Sequence, residues 1–244
     1  LIDEIRYHSP EGRGKYLPAA EYVYKAQAEG RGVYSFCMCP GGFVVPASTG
    51  PEETVVNGMS PANRGSRWAN SGLVVELHPE DIPATGIKVE DPASPLALMQ
   101  WCEAFEHKSY LAANRSLRAP AQRMTDFVAR RHSSTLPSSS YTMGLTSSAR
   151  HEWMPDFITR RLSAGFRAFA RTTRGYLTGE AQLIGVESRT SSPVRIPRDR
   201  ITYAHPGVAG LYPAGEGAGV AGGIVSAAID GENAAQQIAL ALGR

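Results

Sequence analysis

The first folded stretch alternates short β-rich runs with turn-forming residues. Val33-Tyr34-Ser35-Phe36-Cys37, Phe43-Val44-Val45, Thr54-Val55-Val56 and Leu73-Val74-Val75-Glu76-Leu77 are rich in branched and aromatic side chains. Gly41-Gly42, Gly50-Pro51, Asn57-Gly58 and Asn70-Ser71-Gly72 punctuate them, and such pairs favour turns. The pattern predicts an antiparallel meander over about 32–78. The period then becomes helical. Leu98, Met99, Cys102 and Phe105 fall on one face of a helix over about 95–114. Pro120 is suited to the first turn of a second helix, with Met124, Phe127 and Val128 as its apolar face. Residues 132–149 are Ser/Thr-rich and predict a loop. Ile158, Leu162, Phe166 and Phe169 mark a third helix from Pro155-Asp156 to before Gly175, and Gln182–Glu187 returns to extended structure.

Composition narrows the class. The chain has 244 residues, 42% apolar and 20% charged, ordinary for a globular protein with a sizeable core. No run approaches the roughly 20 apolar residues of a membrane helix, and no secretory signal pattern opens the chain. Three cysteines do not make a secreted disulfide framework. Cytoplasm is the expected location, with no membrane partner. Residues 1–110 hold 9 basic and 14 acidic groups, whereas 111–244 hold 16 and 9. Arg160, Arg161, Arg167, Arg171 and Arg174 cluster, but at helical spacing beside an apolar face, so no nucleic-acid partner is expected. No nucleophile elbow, P-loop or H-E-x-x-H is present, which leaves hydrolase and NTPase chemistry without support.

The C-terminal end carries the most chemistry. Gly210-Leu211-Tyr212-Pro213-Ala214-Gly215-Glu216-Gly217-Ala218-Gly219-Val220-Ala221-Gly222-Gly223-Ile224 runs from a short apolar stretch through a glycine-rich turn into a small-residue helix completed by Asn233–Ala241. Glycines let a backbone pass close to a ligand, and a helix N-terminus offers unsatisfied N–H groups. Gly217–Gly222 spells G-x-G-x-x-G, but no second strand or ribose-binding acid follows at the spacing a dinucleotide fingerprint needs. A terminal strand–turn–helix is the remaining prediction.

With its Gly215-Glu216 pair, that end resembles the C-terminal piece of two-dinucleotide-type flavoproteins. Gly32–Gly42, containing Cys37-Met38-Cys39-Pro40-Gly41-Gly42, and Gly185–Ile196 are similar to signature stretches of a bacterial family of uncharacterised FAD-dependent dehydrogenases. The resemblance covers the chain nearly end to end. It implies an FAD cofactor, a small-molecule substrate, and NAD(P)H as a possible electron donor. Glu216 would accept from the ribityl chain; Gly215, Gly217, Ala218, Gly222, Gly223 and Ile224 would approach the flavin through their backbone. Family members carry an N-terminal Gly-rich βαβ unit, and none occurs in the first hundred residues here. The chain is therefore expected to be the C-terminal part of a longer flavoprotein, with that N-terminal part as its partner and FAD binding by the chain alone left open.

The expected architecture is α/β with an α+β insert. Residues 1–200 would form a substrate or cap domain of antiparallel sheet and helices, and 201–244 the returning strand and helix of a Rossmann-like FAD domain. Arg189 and Arg195, in a loop with three hydroxyls, are candidates for orienting an anionic substrate; Asn63-Arg64 and Arg67 are weaker ones. Cys37 and Cys39 could cycle as a dithiol, one could be a low-pKa nucleophile, or both could be buried hydrophobes on one strand face with Met38 opposite. No metal is expected, since His8, His78 and His107 show no ligand spacing. For Glu216 the competing role is a carboxylate capping the next helix. Two other functions stay open: a non-catalytic binding domain that keeps the fold without FAD, and a thiol redox domain using Cys37 and Cys39.

Overall fold

Glu29 and Gly30 both adopt positive φ, 48° and 74°, the geometry of a two-residue hairpin turn whose twist matches the flanking strands. They join β1 (Tyr24–Ala28) to β2 (Arg31–Pro40), paired antiparallel from Ala28↔Arg31. A computed structural model describes residues 2–243. A short helix α1 (Ile2–Tyr7) precedes the hairpin. After β2 the chain makes a second hairpin, β3 (Phe43–Pro46) with β4 (Val56–Met59), before β5 (Ala69–Val75) returns to pair with β2. The predicted meander is thus replaced by two sheets, β1-β2-β5 and β3-β4. Gly41 diverts the chain: at φ 57° a Cβ there would collide with the Arg64 backbone, so β2 turns out of its sheet instead of continuing into β3.

Helices α2 (Ile82–Thr85) and α3 (Ala97–Ala112) follow. The buried face of α3 is Ala97, Trp101 and Phe105, rotated from the predicted stripe because Trp101 outweighs Leu98 and Met99. Pro120 does not open a helix. It lies in β6 (Ala119–Arg123), the middle strand of a third sheet, parallel to β7 (Leu145–Ser147) and antiparallel to β8 (Gln182–Ile184). The lost N–H is tolerated because Pro120 stands opposite Gly185, just beyond the end of β8, and only its carbonyl is used, accepting from the Gly185 N–H at 2.8 Å. The predicted 132–149 loop accordingly contains β7. Short helices α4 (Met124–Val128) and α5 (Arg150–Trp153) flank this sheet. The wholly buried Arg150 guanidinium donates to the Pro120 carbonyl at 3.0 Å and to that of Gly185. Burial pushes it down to about 9.

Helix α6 (Asp156–Thr172) supplies the core as its period predicts, burying Ile158, Leu162, Phe166 and Phe169. It lies on β1, β2 and β5, with Phe166 edge-on to Phe127 at 6.0 Å between ring centres. Tyr24, Phe169 and Tyr176 interlock beside it at 4.9–5.5 Å. Burying side chains of this size contributes about 1.5–3 kcal/mol each.

The described residues form two compact units. The first runs to Lys88 and resumes over Glu103–Ser188, holding all three sheets. The second is Val89–Cys102 with the chain from Arg189 onward, ending in α7 (Ile224–Ala241). The division after Ser188 lies earlier than the expected 200/201, and α3 runs through both units. The strand expected before the glycine-rich turn is not formed. Residues 201–223 are turns and irregular structure, because no neighbouring strand offers a ladder and the backbone closes on itself, as in His205 N–H to the Leu211 carbonyl at 2.8 Å.

Candidate functional site

The glycine-rich turn of the second unit is held by a partly buried ion pair. Asp230, in the second turn of α7, accepts from the Gly215 N–H at 2.8 Å and from Arg198 Nη1 and Nη2 at 2.9 and 2.5 Å. Arg198 also donates to the Pro213 carbonyl at 2.8 Å and stacks over Tyr203, 4.0 Å from the ring centre. Bidentate Arg–carboxylate geometry of this kind gives direction as well as energy. The Arg198 guanidinium holds the Asp230 carboxyl below its usual range. From the other side, the Ile196 N–H donates to the Ala218 carbonyl at 3.0 Å, and Ser192 Oγ to the Gly217 carbonyl at 3.2 Å. Gly219, at φ 72°, permits this approach: a Cβ there would strike the Val194 carbonyl and lie 3.0 Å from Arg195 Cα.

What the turn presents is unoccupied by protein. Among the described residues the Glu216 carboxylate makes no hydrogen bond or ion pair. Among the described residues the amides of Glu216, Gly217, Gly222, Gly223 and Ile224 donate to no protein acceptor. Glu216 does not cap α7. The N-cap is Gly223, with no side-chain cap bond, so the helix start keeps its donors open. Asp230, a helix residue that belongs to no sequence motif, organises the turn instead. The sequence-predicted Gly215, Glu216, Gly217, Ala218, Gly222, Gly223 and Ile224 are therefore brought together, and the segment of Arg195 is drawn against them. Arg195 is exposed and makes no ion pair among the described residues; Arg189, also exposed but not without a partner, opens the same segment.

Cys37 and Cys39 lie in the first unit, and neither is in a disulfide. Simple alternation does not hold for them, because the β2–β5 register shifts between Phe36 and Cys39. The resulting bulge leaves Cys37 exposed at φ 48° and Cys39 half-buried. Met38 turns inward enough for its sulfur to accept from the Tyr22 N–H at 3.2 Å. Burial pushes the Cys39 thiol up, so it is protonated at neutral pH. Of the weaker candidates, Arg64 pairs with Glu21 and Arg67 stacks on Trp68 at 4.7 Å. Among the described residues no group of three His, Cys, Asp or Glu is placed to hold a metal, and no helix is long and apolar enough to cross a membrane.

Two antiparallel sheets, a third mixed one and helices, with an open glycine-rich turn entering α7, define a mixed α/β protein. The family follows from sequence: the chain belongs to the family described as FAD-dependent protein, C-terminal domain-like, which matches residues 1–190. It is a flavoprotein-associated domain. The match ends two residues past the end of the first unit. An uncharacterized protein of Clostridium beijerinckii is 41% identical over 242 residues, which is 98% of this chain and 44% of that protein. The chain thus spans less than half the length of this relative.

Proposed function

We propose that the chain is the substrate-facing and flavin-edge part of an FAD-dependent oxidoreductase. One observation carries this reading: among the described residues the Glu216 carboxylate and the amides of Gly222, Gly223 and Ile224 have no protein partner, although Asp230 and Arg198 fix the turn that presents them. A carboxylate between glycines suits ribityl hydroxyls, which donate. Open amides at Gly222, Gly223 and Ile224 suit the electron-rich edge of a flavin, aided by the positive end of α7. When bound, FAD supplies the hydride chemistry. The residues of the chain then do the rest: Glu216 accepts hydroxyl hydrogen bonds, the α7 amides stabilise negative charge at the ring edge, and Arg189 and Arg195 orient an anionic substrate group. The substrate is a small molecule, and NAD(P)H is the proposed source of electrons. Polypeptide of the kind the longer relative carries outside the match would complete the ADP side of the site.

The test is the visible absorption spectrum of the desalted chain after incubation with excess FAD, for wild type and Glu216→Ala. Retained flavin bands in wild type, with affinity about 10- to 100-fold weaker in the variant, are expected from losing hydrogen bonds to a charged acceptor. Equal retention by both would remove Glu216 from the site. A chain that retains no FAD at any concentration would overturn the reading for this polypeptide.

A further inference from the structure

Helix α7 carries two carboxylates, Asp230 and Glu232, and a carboxylate works against a helix start that is to face negative charge. Glu232 is exposed, so solvent and salt screen it. Asp230 is enclosed: its side chain is 11% exposed and that of Arg198 14%, and charge in such surroundings acts over a longer range. Asp230 also lies close to the helix start, about 9 Å along the axis from Ile224 at 1.5 Å per residue. Left alone, its charge would oppose the positive end of α7.

Arg198 cancels that charge. Its Nη1 and Nη2 meet the two carboxylate oxygens at 2.9 and 2.5 Å, while the Pro213 carbonyl at 2.8 Å and the Tyr203 ring at 4.0 Å fix the guanidinium. Holding the turn does not by itself require an ion pair. The Gly215 N–H, 2.8 Å from Asp230 Oδ2, needs one acceptor, and the oxygen of a neutral amide side chain would serve. What the pair adds is a charge-assisted clasp that leaves no net charge beside the start of the helix.

We infer that Arg198 is a positioning residue for the flavin edge: paired with Asp230, it keeps the first turns of α7 free of net charge, so that the open amides at Gly222, Gly223 and Ile224 favour the reduced, more negative form of the cofactor over the oxidised form. This rests on the flavin reading above and adds to it the residue that sets the redox poise. Charge near the ring edge is one of the means by which a protein tunes a flavin. Removing Arg198 leaves one negative charge beside the helix start, removing the Asp230 charge leaves one positive charge, and removing both leaves none. Over roughly 10 Å, at an effective dielectric of about 20, one unit charge alters the binding of another roughly tenfold.

The test is the midpoint potential of FAD bound to the 244-residue chain, read against reference dyes during stepwise reduction. Dithionite supplies the two electrons and solvent the proton. The affinity for oxidised FAD is measured alongside. Arg198→Gln is expected to weaken binding of reduced relative to oxidised FAD about tenfold, a potential about 30 mV lower. Asp230→Asn should move it by a similar amount in the opposite direction. The double variant, and Arg198→Lys, which keeps the charge without the fork, should return the ratio to within about twofold of wild type. A looser turn would lower FAD affinity in every variant, but it cannot give shifts of opposite sign that cancel in the double variant. Shifts of one sign, or none, would overturn the role of Arg198 and leave the flavin reading standing. A chain that binds no FAD would overturn that reading and this inference with it. Should Arg198→Gln alone fail to fold, the rise in Asp230→Asn and its cancellation in the double variant decide.

Discussion

At the scale of single residues, Asp230 is where the second unit holds its candidate site together, and its protonation has a definite sign. The native carboxyl is held down chiefly by the hydrogen bonds from Arg198, helped by the Gly215 amide. A carboxyl depressed in the folded state contributes stability that is present above its unfolded value, about 3.9, and is lost as pH falls through the native value. Order in the 213–219 turn should therefore be constant at neutral pH and fade only below about pH 4. The amide signal of Gly215, followed by NMR, should shift in that window. Asp230→Asn should mimic the acid state at neutral pH and weaken the turn by about 1.5–3 kcal/mol, the range for a hydrogen bond to a charged group. A Gly215 signal that stays fixed down to the acid limit would show that Asp230 does not hold the turn.

At the scale of elements, α6 was legible because its chemistry is periodic. Ile158, Leu162, Phe166 and Phe169 bury the face their spacing predicts; of the interleaved arginines Arg161 is buried, stacking over Phe157 at 3.7 Å, while Arg160, Arg167 and Arg171 stay exposed. Pro120 was not legible, since a proline in a middle strand depends on where β8 ends, which no local pattern states. The candidate site divides the same way. Gly215–Ile224 announces itself by composition, whereas Asp230 reaches Gly215 across 15 positions, a pairing no local pattern states. Gly165 tests how tightly these elements are packed. A Cβ there would lie 2.5 Å from Cγ1 of the fully buried Val33 on β2. Gly165→Ala gains up to about 1 kcal/mol of helix propensity, against about 1–3 kcal/mol for overpacking a closed core. The clash should win, lowering the urea midpoint by the equivalent of about 1 kcal/mol. A stabilised variant would mean that α6 can lift from β2 at little cost.

At the scale of the whole molecule, α7 is the element least accounted for by its surroundings. It spans 18 residues, of which Asp230 and Ala234 are buried, while Ile224, Val225, Ile229 and Leu240 are 90%, 72%, 54% and 66% exposed. Helices of this length hold together in proteins mainly by packing an apolar face, and each Ile or Leu brought out of water would contribute about 1.5–3 kcal/mol. Here that contribution is largely unused, and α7 rests on the Asp230 anchor and the propensity of its alanines. Replacing Val225 and Ile229 together by Ser should consequently change the unfolding free energy of the 244-residue chain by less than about 0.5 kcal/mol per site, as for exposed positions generally. The same double variant should bind visibly less of a hydrophobic dye such as 8-anilinonaphthalene-1-sulfonate, measured by fluorescence in the same buffer. Destabilisation of about 2 kcal/mol or more with unchanged dye binding would show instead that this face is already covered in solution.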